Sequence, residues 1–222
     1  MSSKGRLTPR TIAADLGAIA ARDQGFAAAL DAVGLPPARE RPTGFASLLR
    51  IIIGQQVSAA AASGIWRRLE AAGSLEPAAI AALELEALKA CGLSRQKASY
   101  ALALSQAVAS GTLDLEQVHA LDDDGVVAAL TAIKGIGRWT AEVYLLFAMR
   151  RRDVWPAGDL AVAVGMQRLR RLRKRPDPDR VRKLAEPWRP YRSAAALFMW
   201  HYYAAALPAP AKPAAPAAGL PV

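Results

Sequence analysis

The run Ile133-Lys134-Gly135-Ile136-Gly137-Arg138-Trp139-Thr140-Ala141 constrains the fold more than any other part of this chain. Val126, Val127, Leu130 and Ile133 lead into it at helical spacing, and helical spacing resumes at Arg138. The pattern predicts a helix that ends in a Gly-rich hairpin and a second helix that starts at once. Such a hairpin lets backbone N–H groups approach a phosphate with no side chain in the way. Local sequence alone equally allows a plain connector.

Asp159 stands twenty positions beyond Trp139, behind Pro156-Ala157-Gly158, at the expected start of another helix. Its simplest reading is an N-cap. A capping carboxylate can also turn a free oxygen toward a cleft, so the capping and chemical readings are compatible.

Elsewhere Ala is abundant, apolar residues recur every three or four positions, and no stretch alternates as a strand would. The expected fold class is all-α. Helix is predicted within 10–33, ended by Gly34-Leu35-Pro36-Pro37, and again over 44–54. Ser58 caps the next segment, which stops at Gly73, and further stretches cover 76–90 and 94–110. Later helices are expected from Asp122 or Asp123 to the hairpin, from Arg138 to Met149 and from Asp159 to Leu172. Another resumes near Asp179, and the last runs from Arg192 to Ala206.

At 222 residues the chain suffices for one compact domain or two small lobes. Cys91 is the only cysteine, which excludes a disulfide framework, a zinc finger and a four-cysteine iron–sulfur cluster. No apolar run is long enough to span a bilayer, and Met1–Arg6 lacks the apolar segment of a signal peptide. These features set the expectation of a cytoplasmic protein with no membrane partner. From Arg150 to Arg192 there are fourteen Lys/Arg against five Asp/Glu, so the formal charge of +10 is concentrated there. Clustered basic charge favours a polyanionic partner, although a solvated face on an Arg-rich protein would look the same. His119 and His201 lack metal-ligand spacing and read as structural.

Five motifs occur in order between about residues 43 and 203. They are Ile51-Ile52-Ile53-Gly54-Gln55-Gln56-Val57-Ser58, Cys91-Gly92-Leu93-Ser94-x-x-Lys97, the hairpin through Thr140-Ala141, Val154-Trp155-Pro156-Ala157-Gly158-Asp159-Leu160, and Ala185-Glu186-Pro187-Trp188-Arg189-Pro190-Tyr191-Arg192-Ser193. Together they resemble the DNA-3-methyladenine glycosylase II family of the AlkA type, within the HhH-GPD superfamily of base-excision enzymes. The resemblance implies a helix-hairpin-helix that grips double-stranded DNA through Lys134, Gly135, Ile136, Gly137 and Arg138. It also implies a monovalent cation, Na+ or K+, on hairpin carbonyls near Thr131, Ile133 and Ile136, and no redox or organic cofactor. Asp159 matches the family's catalytic aspartate. Trp139 and Trp200 match positions whose ring faces would hold a flipped, cationic base, with Val143 beside them. Gln55 and Gln56 would meet the minor groove, Gln56 as the wedge that fills the gap. Read from the residues alone, each Trp can be core and both glutamines can be loop-capping amides.

Bifunctional members of the superfamily carry a lysine where this chain has Trp139, which implies base removal without strand cleavage. The implied substrates are alkylated purines in duplex DNA, chiefly 3-methyladenine with 7-methylguanine second, in the first step of base excision repair. Two other readings stand beside it: a non-catalytic DNA-binding or damage-sensing protein, and a glycosylase for oxidised or deaminated bases. The expected organisation is two helical lobes with the cleft between them. One spans 44–151 and carries the helix-hairpin-helix (130–149). The other combines 10–43 with 152–206, and a flexible Pro/Ala tail follows at 207–222. A monomer is expected, since no exposed heptad or apolar face stands out.

Overall fold

The computed structural model describes residues 5–37, 41–73 and 75–205, and these residues form helices and turns with no strand. The tail expected from residue 207 lies outside the described residues. Polar caps start most helices. In α1 (Pro9–Ala20) the Thr8 and Thr11 hydroxyls each accept the other residue's backbone N–H, a reciprocal cap. Asp23 caps α2 (Gln24–Val33) through Phe26 N–H. After α3 (Phe45–Gly54), Ser58 caps α4 (Ala59–Ala72), as expected.

The stretch predicted over 76–90 is two short helices, α5 (Pro77–Ala81) and α6 (Leu85–Ala90). At about 100° per residue a straight helix would point Ile80 and Leu88 about 80° apart. The break at 82–84 lets both side chains bury fully, at 1% and 0% exposure. Next come α7 (Arg95–Ala109) and α8 (Leu115–Ala120), a short helix the sequence reading passed over. Its signal was present: Asp114, which accepts the N–H groups of Glu116 and Gln117, stands before Leu115-x-x-Val118. Asp122 opens α9 (Asp123–Thr131), and the hairpin delivers the chain into α10 (Arg138–Phe147). Asp159 opens α11 (Leu160–Leu169), which ends three residues before the expected Leu172 because Arg171 turns left-handed, at φ 51°. Last come α12 (Pro178–Ala185), a 3₁₀ turn (Glu186–Trp188) and α13 (Arg192–Ala205).

Helix α3 packs against α4, α7 and α10; α5 and α6 lie on α7, and α9 on α10. Helices α1, α2, α11 and α13 pack among themselves, with α12 against α11. One continuous hydrophobic core joins the two sets. Its densest aromatic knot is Phe26, with ring centroids 5.1 Å from Trp188 and 4.7 Å from Phe198, while Trp155 meets Trp188 edge-on at 5.5 Å.

The strap 150–158 between α10 and α11 carries Asp159 into place and is fastened from both sides. Arg192 donates from Nε and Nη2 to Asp153, and Ser193 Oγ accepts Val154 N–H while donating to Arg151 O. Arg152 is paired with Asp15, whose carboxyl is raised by burial against the opposing pull of that guanidinium. Asp15 is 2% exposed, so removing Arg152 would strand a buried charge at a cost of about 3–5 kcal/mol.

Candidate active-site cleft

Asp159 is the N-cap of α11 and half-buried, and every donor aimed at it is an N–H. Oδ1 accepts Ala161 N–H (2.8 Å), Val162 N–H (3.1 Å) and Trp200 Nε1–H (2.9 Å), while among the described residues Oδ2 accepts only Trp139 Nε1–H (2.9 Å). Oδ1 is therefore saturated, and the remaining acceptor capacity sits on Oδ2. Three elements meet here: α11 supplies the cap, α10 its first-turn Trp139, and α13 its Trp200. The capping and cleft readings of Asp159 hold together in one geometry.

This carboxylate lines a cleft of about 1020 Å³ together with Trp139, Val143 and Trp200, so the expected catalytic and base-binding residues converge. The indoles differ from the expected cage in one respect. Their N–H edges, not only their faces, are committed, because both are turned to Asp159. Trp200 is also stacked on Phe147, at 5.3 Å and 23°, which covers part of its ring. Phe147 and the cleft residues Arg50, Trp66 and Tyr203 escaped the sequence reading. Helical spacing could have found Phe147, since Trp139, Val143 and Phe147 follow one another at four-residue steps on one face. Trp66 is only 7% exposed yet forms the wall beneath Arg50.

The hairpin has the expected form, and α9 packs against α10. Gly135 adopts φ +91°, and a Cβ there would clash with the Cγ of Tyr100. Gly137 begins α10 with no side-chain cap, leaving that helix's first N–H groups to an outside acceptor. Ile136 needs a correction. Its N–H donates to Ile133 O at 3.0 Å and its side chain is 3% exposed, so it holds the turn from within and cannot offer its amide to a phosphate. Lys134 and Gly137 are exposed. Arg138 is exposed too but pairs with Glu142 at 2.9 Å, whose carboxyl is raised by burial despite that partner.

The two glutamines separate. Gln55 Nε2 donates to Thr140 Oγ1 (3.0 Å) and Gly135 O (3.4 Å), tying the end of α3 to the hairpin, which is the capping-amide role. Gln56 is exposed and left-handed at φ 53°, projecting from the α3–α4 turn. Lys97 Nζ closes the end of α3 by donating to Ile53 O at 2.8 Å, and burial lowers its pKa. Both histidines are structural: His119 shares a 2.6 Å bond with Tyr144 Oη, and His201 reaches Val33 O at 2.8 Å. Arg192, 9% exposed, braces the strap.

Among the described residues no three His, Cys, Asp or Glu side chains cluster to hold a metal ion, and no helix is long and apolar enough to cross a membrane.

The hairpin, the strap and Asp159 lie within the region, residues 49–190, that matches the HhH-GPD superfamily of base excision DNA repair proteins, while Trp200 of the cleft lies beyond it. The chain is 34% identical over 166 residues to DNA-3-methyladenine glycosylase 1 of Schizosaccharomyces pombe, covering 72% of this chain and 73% of that protein. Its fold superposes on that organism's 3-methyladenine DNA glycosylase (Mag1), solved in complex with abasic DNA, with a TM-score of 0.77 and 31% identity. The superposition covers 84% of this chain and 94% of the other. It also superposes on a DNA-3-methyladenine glycosidase from Bacillus halodurans, with a TM-score of 0.71, 31% identity and 91% of each chain covered. A match of this extent, spanning hairpin and strap, shows that the chain belongs to the HhH-GPD superfamily of base excision DNA repair proteins.

Proposed function

We propose that this protein is a monofunctional DNA glycosylase that removes alkylated purines, chiefly 3-methyladenine, from duplex DNA. The observation that carries the reading is the Asp159 carboxylate, anchored by four N–H donors at the floor of an aromatic cleft with acceptor capacity left on Oδ2. The relatives named for 3-methyladenine support the substrate class. A base in a duplex is unreachable, so the nucleotide is extruded into the cleft. Exposed Gln56 fills the vacated space, and the open N–H groups at the start of α10, with Lys134, hold the backbone.

An N3-methylated purine carries positive charge and leaves without prior protonation. As the C1′–N bond breaks, its electron pair goes to the base nitrogen and neutralises the base, while positive charge develops on the sugar. Asp159 stabilises that charge. Water then bonds to C1′ and gives up its proton through Oδ2 to solvent, leaving an intact abasic site. The lining described for this cleft includes no lysine, and Trp139 stands in the first turn of α10, which supports base removal without a Schiff base to the sugar.

The hairpin carbonyls of Thr131, Ile133 and Ile136 suit a monovalent cation, since backbone oxygens without a carboxylate form a weakly charged donor set. Ile133 O spends one lone pair on Ile136 N–H and keeps the other. Such an ion supplies positive charge toward a DNA phosphate and no step of the reaction.

Asp159→Asn tests the reading. It should retain binding to an abasic duplex and lose about 10²- to 10⁴-fold in base release from methylated DNA. Wild type that releases no base from such DNA, or that cuts the strand without alkali, refutes it.

A further inference from the structure

Arg50 and Trp66 form an arrangement the hairpin and the carboxylate do not account for. The Arg50 guanidinium lies 4.1 Å from the centroid of the Trp66 ring, and the indole is fixed from behind by a 2.6 Å bond from Nε1 to Glu70. Among the described residues Arg50 makes no ion pair or hydrogen bond, although it is exposed and lines the Asp159 cleft. The same pair lines a second groove, about 440 Å³, between α3 and α4, where Ser63 and Arg67 join them. That groove reaches Val57, the neighbour of the exposed Gln56. Arg50 and Trp66 thus stand between the Gln56 turn and the cleft, lining both cavities.

We infer that the α3–α4 groove is a second DNA-backbone subsite, in which Arg50 receives the phosphodiester beside the extruded nucleotide. The inference rests on the proposed glycosylase reading. A guanidinium stacked on a fixed indole presents a planar fork of N–H donors, which matches two phosphate oxygens. The alternative acceptor, the base itself, is cationic in the proposed substrate, and like charges disfavour that contact. Three guanidinium groups, Arg41, Arg50 and Arg67, line the groove against one carboxylate, Glu70, so its formal charge is positive. The hairpin grips backbone elsewhere. The subsite holds the strand on the side from which the nucleotide leaves.

The test measures equilibrium binding of wild type, Arg50→Gln, Arg50→Lys and Arg67→Gln to a duplex carrying a tetrahydrofuran abasic analogue, across a salt series. Each phosphate contact contributes about 0.9 to the slope of log K against log salt. Arg50→Gln should weaken binding about tenfold near 0.1 M salt and reduce the slope by about one. Arg50→Lys should keep the slope and lose part of the affinity, because charge remains while the fork is lost. Arg67→Gln should lower the slope less. Unchanged slope and affinity in Arg50→Gln overturn the subsite. So does a variant whose binding is intact but whose preference between 3-methyladenine and 7-methylguanine shifts, since Arg50 would then read the base. Binding to this analogue needs no base release, so failure of the glycosylase reading would appear separately, in the Asp159→Asn comparison.

Discussion

Replacing Trp139 by Phe keeps a ring at the cleft wall and deletes one hydrogen bond, from the sole donor to Asp159 Oδ2 among the described residues. The carboxylate would stay hinged through Oδ1 on Ala161, Val162 and Trp200, but Oδ2 could turn away from the sugar. A hydrogen bond to a charged group contributes about 1.5–3 kcal/mol. If that energy goes into orienting Oδ2 in the transition state, the single-turnover rate falls about 10- to 150-fold at 1.36 kcal/mol per decade. The assay is release of free 3-methyladenine from a methylated duplex under enzyme excess, with affinity measured separately on an abasic duplex. The loss should lie in the rate constant, with affinity within about twofold. A rate within threefold of wild type refutes the claim that the indole edge holds the carboxylate. A loss confined to substrate affinity also refutes it, because the ring face would then be what matters. Trp200→Phe should cost less, since Oδ1 keeps two backbone donors.

Two further outcomes follow from single contacts. Gly135→Ala drives a methyl against Tyr100 Cγ on a backbone at φ +91°, so it should destabilise by about 2–4 kcal/mol and weaken DNA binding, read by thermal melting and by titration with duplex. Asp23 caps α2, pairs with Arg170 at 2.6 Å and accepts Trp188 Nε1–H at 2.9 Å. Burial opposes these contacts, but Arg170, Trp188 and Phe26 N–H together hold its carboxyl below the ordinary 3.8. Asp23→Ala should therefore cost about 3 kcal/mol and lower Tm by roughly 6–12 °C at neutral pH. A lowered native pKa contributes stability that is present above 3.8 and lost as pH falls through the native value, so the gap between wild type and variant should narrow below about pH 4. A gap that is constant with pH would remove Arg170 and Trp188 as its cause.

Much of the site is local, and local features are legible. Ser58, Asp122 and Asp159 announce helix starts because each carries the short acceptor side chain that an N-cap needs. Gly135 and Gly137 announce the hairpin because one must enter left-handed space and the other must begin a helix without a capping side chain. Ile136 was misjudged because one amide in a tight turn looks like the next in sequence, and only the fold shows which one the turn consumes. The single stretch read over 76–90 fails for a related reason: no Gly or Pro lies between Pro77 and Ala90, and the break comes from the need to bury both Ile80 and Leu88.

By itself the sequence determined the helical class, the order of the motifs, the hairpin and the lone acid at the head of α11, because capping, glycine geometry and apolar spacing act within a few residues. Tertiary structure decided which groups touch. Residues 139, 159 and 200 are separated along the chain, and only the packing of α10, α11 and α13 brings two indole edges onto one carboxylate. The same holds for Arg50 above Trp66, on helices whose spacing in sequence says nothing of their distance in space. Hydrogen bonds and stacking reach about 3–5 Å, and distances that short between remote residues are fixed by the whole core rather than by any segment of it.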